Sequence, residues 1–272
     1  MDQYRVFGNP IKQSRSPYIH QTFAQSTAQE LSYQSEFVEL DAFSETIHQF
    51  VKNGGKGANI TVPFKEQALH LCDQLSDRAR LAGAVNTLSF VDGKILGDNT
   101  DGLGLVQDLL RHKITLKNCK ILLLGAGGAA KGVILPLLEQ QPAVVVIANR
   151  TSSKAQSLCL HFNNDKLVAC GFDDINQNDF DLIINATSAS LRGNVPAISK
   201  KLIKVKTICY DMVYGRELTP FLVWAKDLGA KQLIDGLGML VGQAAESFFL
   251  WRTVRPAVDP VIDSLRCSLV EV

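Results

Sequence analysis

The chain has 272 residues, of which 46% are hydrophobic and 20% charged, and its 28 basic residues nearly balance 27 acidic ones. This composition is typical of a globular protein of one large or two ordinary domains, without the basic excess of a nucleic-acid-binding protein. No apolar run reaches the roughly 20 residues that cross a bilayer, and the start MDQYRVFGNP lacks the features of a signal peptide. We therefore expect a cytoplasmic protein without nucleic-acid or membrane partners.

The cysteines and histidines show none of the usual spacings of a metal site. The six cysteines are scattered without a C-x-x-C pair, and the five histidines form no H-E-x-x-H motif. We expect free, mostly buried thiols and no bound metal.

The first hundred residues alternate between short strands and helical segments, and YRVFG, YQSEFVEL and GANITV are the predicted strands. In ANITVPFKE, residues 58–66, Asn59, Thr61, Pro63 and Lys65 alternate with apolar residues. Because alternate side chains of a strand share one face, this pattern places an amide, a hydroxyl and an ammonium on the same side. A helical pattern, FKEQALHLCDQL, follows, so Lys65 is predicted at a junction between a strand and a helix.

Between Lys120 and Gly236, buried strands alternate with amphipathic helices, which predicts a parallel sheet with right-handed crossovers. The strands are KILLLG, AVVVIAN, DLIINAT, TICYDM and QLIDG, and the helices include TSSKAQSLCLHF and TPFLVWAKDLGA, the latter with Thr219 as its N-cap. A last helix, LGMLVGQAAESFFLWRTV, carries an apolar stripe formed by Leu240, Ala244, Phe248 and Trp251. The predicted fold is a two-lobed α/β protein whose tail helix returns to the first lobe.

The stretch KILLLGAGGAAKG carries a dinucleotide-binding fingerprint. A buried strand leads into Gly125-x-Gly127-x-x-Ala130, and a helix follows, which is the context that the fingerprint requires. A P-loop is excluded, since Lys131 follows no G-x-x-x-x-G spacing and precedes no Ser or Thr. The alternative is a glycine turn that only packs the helix on the strand.

The end of the next strand favours NADP over NAD. An NAD-selective fold usually carries a carboxylate there for the ribose 2′-hydroxyl, but this chain has a cluster formed by Asn149, Arg150, Thr151 and Lys154. A guanidinium pairs with a 2′-phosphate. The alternative is a set of solvated charges at a helix start, although cations are disfavoured at that end of a helix.

Several motifs, in order along nearly the whole chain, resemble the shikimate dehydrogenase family. They are NPIKQSRSPYIH, GANITVPFKE, AGAVNTL, GDNTDG, GAGGAAKG, NRT, NATS, DMVYG and DGLGMLVGQAAESFFLWR. The resemblance implies NADPH-dependent, reversible reduction of 3-dehydroshikimate to shikimate, on the route to chorismate and the aromatic amino acids. It also implies a substrate-binding domain of residues 1–101 and 237–272, facing an NADP-binding Rossmann domain of residues 102–236 across a cleft, in a monomer or homodimer.

The resemblance also implies roles for individual residues. Lys65 and Asp101 would be catalytic, with Lys65 at the reacting oxygen. The substrate carboxylate would be held by Ser14, Ser16 and Tyr214, and the ring hydroxyls by Thr61, Asn86, Asp101 and Gln243. Besides the cluster at 149–154, the cofactor would contact Asp77, Gly125, Ala126, Gly127, Gly128, Ala129, Met212 and Gly236. One departure is Ser190, which stands where family members often have glycine, beside the expected position of the nicotinamide.

Chemically, an ammonium at the carbonyl oxygen can stabilise the negative charge that grows during reduction and can deliver the proton. We therefore interpret Lys65 as the acid in reduction and the base in the reverse direction, oriented by Asp101. Singly, Lys65 could be a solvated helix-start charge, Asp101 a turn residue, SRSP a capped helix start and Gln243 part of a polar helix face. The rival functions are a quinate/shikimate dehydrogenase with relaxed cofactor use, against which Arg150 and Thr151 argue, and a non-catalytic metabolite-sensing module.

Overall fold

The computed structural model describes residues 1–176 and 179–270, and the chain folds into two compact units. The first unit contains Met1–Gly104 and Leu240–Ser264, and the second contains Leu105–Met239 together with the described residues from Leu265 onward. In the described part of the chain, no helix has both the length and the apolar character that a membrane span requires. The predicted first domain is residues 1–101 and 237–272, whereas the compact units divide the chain after Gly104, after Met239 and after Ser264.

The first unit is built on a mixed six-stranded sheet in the order β2-β1-β3-β5-β6-β4. Strand β1 pairs in parallel with β2 and β3, while β5 pairs antiparallel with both β3 and β6. Its strands are β1 Asp2–Gly8, β2 Leu31–Phe37, β3 Gly57–Ile60, β4 Gln74–Leu75, β5 Thr87–Val91 and β6 Lys94–Asp98, and its helices are α1 Ser16–Ser26, α2 Phe43–Lys52, α3 Lys65–Leu71 and α4 Asp77–Ala82.

Three helices run across the chain positions at which the units divide, namely α5 Asp101–Arg111, α9 Leu237–Arg252 and α10 Asp259–Val270. The part of α9 that belongs to the first unit packs on that unit's sheet. Phe248 is fully buried and contacts Phe23 edge to face at 5.7 Å. Trp251 stacks on Tyr4 at 4.7 Å, and its indole N–H donates to the Leu88 carbonyl at 3.0 Å. The predicted return of the tail helix to the first lobe is thus confirmed for α9.

The second unit contains a six-stranded, all-parallel sheet in the order β12-β11-β10-β7-β8-β9. Side chains from β7 alternate between two apolar clusters, with Ile121 and Leu123 in one and Leu122 and Leu124 in the other. Burial on both faces is what helices on both sides of a parallel sheet produce, so the predicted Rossmann-type architecture is confirmed. The strands are β7 Lys120–Leu124, β8 Val144–Asn149, β9 Leu167–Gly171, β10 Leu182–Asn185, β11 Ile208–Asp211 and β12 Gln232–Asp235, and the helices are α6 Gly128–Glu139, α7 Ser152–Phe162 and α8 Pro220–Asp227.

Two details of this unit bear on the sequence predictions. The Thr219 hydroxyl accepts from Leu222 N at 3.4 Å and caps helix α8, as predicted. The six cysteines are all unpaired, but only Cys119 and Cys209 are buried, and Cys267 is exposed. The expectation of mostly buried thiols is therefore wrong, because Cys72, Cys159 and Cys170 lie at the edges of the cores that they contact.

Candidate active site

Lys65 begins helix α3, one short turn after strand β3. The strand ends at Ile60 with all four of its residues buried, and Phe64 N then donates to the Thr61 carbonyl at 3.0 Å in the turn. The predicted alternation of polar side chains along one extended face is therefore wrong. Pro63 has no N–H to offer a neighbouring strand, and the chain turns there instead of extending the sheet.

Four of the residues predicted to bind substrate converge around one carboxylate in the first unit. Lys65 Nζ donates to Asp101 Oδ2 at 2.6 Å, and both side chains remain partly exposed. Asn86 Nδ2 donates to Asp101 Oδ1 at 2.7 Å and to Gln243 Oε1 at 3.3 Å. Both oxygens of Asp101 are thus engaged, which fixes the direction in which the carboxylate and the ammonium point.

Beneath this site lies a set of buried polar side chains, here called the inner polar cluster, of which only Asn86 was predicted as a site residue. Asn86 Oδ1 accepts from Thr100 N at 2.9 Å and from the Thr87 hydroxyl at 2.8 Å. Asn59 Nδ2 donates to the Ser247 hydroxyl at 2.9 Å. Satisfied buried networks hold side chains in one arrangement, so this cluster orients the Asn86 amide toward Asp101. Its members are Asn59, Asn86, Thr87, Thr100 and Ser247.

Ser14 and Ser16 lie at the start of helix α1 and connect to the inner polar cluster through Tyr33. Ser16 N donates to Ser14 Oγ at 3.3 Å, and the Tyr33 hydroxyl donates to Asn59 Oδ1 at 2.7 Å. Burial raises the pKa of Tyr33 well above its usual value, and a hydrogen bond with Ser16 opposes the shift. Burial lowers the pKa of His20, which stacks on Tyr33 at 4.1 Å, to about 3. His20 is therefore a neutral packing residue at physiological pH.

The start of α1 differs from the capped helix start that the sequence left open for SRSP. Arg15 occupies the N-cap position and its side chain makes no capping hydrogen bond, while Ser16 N donates to Ser14 Oγ and Pro17 has no N–H. The hydroxyls of Ser14 and Ser16, rather than a row of free N–H groups, are therefore the donors that this helix start offers to an anion. Ser14, Ser16 and this helix start together fit a carboxylate.

In the second unit, the glycine turn between β7 and α6 has the geometry of a phosphate-binding turn. Gly125 has φ +110°, a conformation that favours glycine. Helix α6 begins at Gly128 with Gly127 as a cap that carries no side chain, and a Cβ on Gly127 or Gly128 would meet no atom within 4 Å. Ala130 is fully buried between helix and sheet. Open backbone N–H groups at a helix start fit a dinucleotide pyrophosphate, and Ala126 and Ala129 belong to the same turn.

At the end of β8, two cations have no ionic partner among the described residues. Asn149 Nδ2 donates to the Thr151 carbonyl at 2.9 Å and shapes the turn before α7. Within residues 1–176 and 179–270, the side chains of Arg150 and Lys154 form no salt bridge. Two cations that the described residues leave without a salt bridge, where a dinucleotide's adenosine ribose is expected, fit a 2′-phosphate.

Replacing Arg150 with alanine should raise the Michaelis constant for NADP at least about fivefold and leave that for NAD nearly unchanged, because only NADP carries the charge that a guanidinium binds. Steady-state kinetics with both cofactors measure the two constants. Lys117→Ala, at an exposed lysine in the same unit, is the control. Equal changes for NADP and NAD would contradict the assignment.

Met212 and Gly236, both predicted near the nicotinamide, contact one another at the carboxyl ends of β11 and β12. A Cβ on Gly236 would lie 2.1 Å from the Met212 carbonyl oxygen, and Gly236 N donates to the Val213 carbonyl at 3.2 Å. Only glycine allows this approach. Tyr214 follows in the same segment of the second unit.

Gly236→Ala should separate the two segments and lower the free energy of unfolding by about 1–3 kcal/mol, the usual cost of overpacking. The dissociation constant for NADP should rise as well, since Met212 would be displaced. Urea unfolding and a cofactor titration measure these effects. A Cβ on Gly215 would make only an ordinary contact, 3.5 Å from the Glu217 carbonyl, so Gly215→Ala is the matched control. A stable Gly236→Ala protein with normal NADP binding would contradict this prediction.

Asp77, predicted as a cofactor contact, is the first residue of α4 and lies in the first unit. Its side chain is 83% exposed and accepts from Arg80 Nη1 at 2.9 Å. An exposed ion pair of this kind contributes little to stability, and its role toward a cofactor stays a prediction.

The fold and the two groups of residues define a dinucleotide-dependent oxidoreductase with a separate unit for a small polar substrate. Three family models match the chain: the shikimate dehydrogenase substrate binding domain over residues 6–88, shikimate / quinate 5-dehydrogenase over 108–206, and the shikimate 5'-dehydrogenase C-terminal domain over 236–266. The chain belongs to the shikimate dehydrogenase family.

Individual relatives agree over the full length. Shikimate dehydrogenase (NADP(+)) of Colwellia psychrerythraea is 61% identical over 98% of each chain. Among solved structures, an Ael1 enzyme from Pseudomonas putida is 43% identical with a TM-score of 0.95, covering 97% of this chain and 98% of the other. The Thermus thermophilus shikimate 5-dehydrogenase in complex with NADP(H) and shikimate is 33% identical with a TM-score of 0.88, covering 99% and 100%.

Proposed function

We propose that the chain is an NADP-dependent shikimate dehydrogenase, which reversibly reduces 3-dehydroshikimate to shikimate on the route to chorismate. The single observation that supports it most is the ion pair of Lys65 and Asp101 at 2.6 Å, held by Asn86 and Gln243. A proton donor, a carboxylate and two amides within one small group suit a ring that carries a ketone and neighbouring hydroxyls.

In this mechanism the bound cofactor supplies the hydride, and the chain's own residues manage the charge and the proton. The Lys65 ammonium lies at the carbonyl oxygen, stabilises the negative charge that grows there, and donates a proton from Nζ. In the oxidative direction Lys65 accepts that proton from the substrate hydroxyl. Asp101 keeps the ammonium in place through Oδ2 and accepts from a neighbouring ring hydroxyl.

The remaining residues bind and orient. Ser14, Ser16 and Tyr214 hold the substrate carboxylate, and Thr61, Asn86 and Gln243 hold ring hydroxyls. On the cofactor side, the glycine turn holds the pyrophosphate, and the 149–154 cluster holds the 2′-phosphate. Inner polar cluster residues other than Asn86 act as positioning residues for that amide.

The function can be tested by following absorbance at the reduced-nicotinamide band with shikimate or quinate, each with NADP or NAD. Shikimate with NADP should give the highest kcat/KM. Equal use of quinate and of NAD would indicate the quinate/shikimate dehydrogenase alternative. A protein that binds shikimate and NADP without turnover would be the metabolite-sensing module and would refute the catalytic proposal.

The cellular setting and the assembly also remain proposals. A biosynthetic enzyme of this family without a membrane-spanning helix in its described residues suits the cytoplasm. The chain should be a monomer or a homodimer, which sedimentation equilibrium would decide.

A further inference from the structure

A buried carboxylate lies at the carboxyl end of the second unit's sheet. Asp211 ends strand β11 and is fully buried, and no lysine, arginine or histidine in the described part of the chain forms a salt bridge with it. Burying an ionised carboxylate is costly unless hydrogen bonds compensate. The residues that donate hydrogen bonds to this carboxylate therefore show which chain segments it connects.

Those donors come from three different segments. On Oδ2, the hydroxyls of Ser190 and Thr219 each donate at 2.6 Å. On Oδ1, Asn185 Nδ2 and Val213 N each donate at 3.1 Å. Asn185 and Ser190 come from the end of β10 and the loop that follows it, Val213 from the segment after β11, and Thr219 from the cap of α8. Burial raises the pKa of Asp211, and these four hydrogen bonds oppose the shift.

The loop that Ser190 anchors also contacts the glycine turn. Asn185 Oδ1 accepts from both the amide and the hydroxyl of Thr187, at 3.1 and 2.7 Å. A Cβ on Gly125 would lie 3.2 Å from the Thr187 methyl group and from the Ala186 carbonyl oxygen. The loop of residues 186–194, here called the Ser190 loop, therefore packs against the turn that fits a pyrophosphate.

The other side of Asp211 leads to the residues predicted near the nicotinamide. Val213, which donates to Oδ1, accepts from Gly236 N at 3.2 Å, and Met212 lies against Gly236. Ligands of open parallel sheets bind at the carboxyl ends of the strands. The Asp211 carboxylate thus joins two of the loops that border this end of the cofactor site.

We infer that Ser190 is a positioning residue for NADP: its hydroxyl, through Asp211, fixes the Ser190 loop against the segment of Met212 and Val213. This inference rests on the proposed function only in taking NADP as the ligand. Without the hydroxyl, the loop keeps its backbone but loses its attachment to β11. Pre-organised loops bind more tightly because less ordering accompanies binding.

Ser190→Ala should raise the dissociation constant for NADP about tenfold, which corresponds to about 1.4 kcal/mol. Ser190→Thr, which keeps the hydroxyl, should restore it toward the wild-type value. The matched control is Thr219→Ala, which removes a hydrogen bond of the same length to the same oxygen and also the α8 cap. That variant should be destabilised at least as much and yet bind NADP nearly normally.

Amide hydrogen exchange on the cofactor-free protein supplies a readout independent of activity. Ser190→Ala should exchange faster within residues 186–194, whereas Thr219→Ala should exchange faster at the start of α8. Unchanged exchange and NADP binding in Ser190→Ala, or equal loss of NADP binding in both variants, would overturn the inference. A wild-type protein that fails to bind NADP would instead refute the proposed function.

Discussion

Lys65→Ala should lower the turnover number about a hundredfold or more, the range that removal of a general acid–base group produces. The Michaelis constant for shikimate should change much less, because Ser14, Ser16, Asn86 and Gln243 remain to bind it. No core residue is lost, since Lys65 lies outside the apolar clusters and is partly exposed at the start of α3. The protein should fold normally, and steady-state kinetics should report a loss in kcat.

Two further variants sharpen this experiment. Lys94→Ala removes an exposed lysine of the same unit and should leave kcat unchanged. Asp101→Asn keeps the shape of the carboxylate but loses the charge that orients the ammonium, so kcat should fall as well. The effects of Lys65→Ala and Asp101→Asn should not add, because groups that act as a unit are not additive. Near-normal turnover in Lys65→Ala would end its role as acid and base.

The strands of the parallel sheet could be predicted from sequence because their chemistry is local. Segments such as KILLL and VVVIAN are buried on both faces, and their short length, aliphatic and β-branched residues and flanking turns favour a strand over a buried helix. The glycine fingerprint could be read for the same reason: a turn with φ +110° at Gly125 demands glycine wherever it occurs.

A local signal was also overlooked. Strands β5 and β6 form an antiparallel hairpin joined by Asp92 and Gly93, both of which have positive φ. Asp-Gly between two runs of strand-forming residues is a strong hairpin indicator, so the sequence held enough information to predict it. The mixed sheet of the first unit follows from this hairpin.

The inner polar cluster could not have been found from local patterns. Asn59 donates to Ser247 across 188 positions of the chain, and Asn86 donates to Gln243 across 157. Only the packing of α9 on the first unit's sheet brings these side chains together. In sequence, Ser247 is simply a small polar residue on an apolar helix. Asn59 was part of a polar alternation predicted to continue to Lys65, but strand β3 ends at Ile60.

The packing of α9 leads to the largest expected effect on stability. Phe248 is fully buried, contacts Phe23 edge to face at 5.7 Å, and lies beside His20 with 6.2 Å between ring centroids. Phe248→Ala should lower the free energy of unfolding of the first unit by about 3–5 kcal/mol, through lost burial and the remaining cavity. Phe37→Ala, at a residue 52% exposed, should change it by less than about 0.5 kcal/mol.

Trp224 belongs to the second unit and Trp251 to the first, and they are the chain's two tryptophans. In a Trp224→Phe background, fluorescence during urea unfolding reports on the first unit, so the lost free energy of unfolding in Phe248→Ala can be assigned to that unit.

Where the variant is still folded, the Michaelis constant for shikimate should rise, because Phe248 fixes the helix that presents Gln243 to Asn86 and Ser247 to Asn59. If Phe248→Ala unfolds too readily, Phe248→Leu should show the same two changes at smaller size. A free energy of unfolding within about 1 kcal/mol of the parent's, below the range for such truncations, would show that this contact does not hold α9. An unchanged Michaelis constant for shikimate would show that the packing of Phe248 does not affect the substrate site.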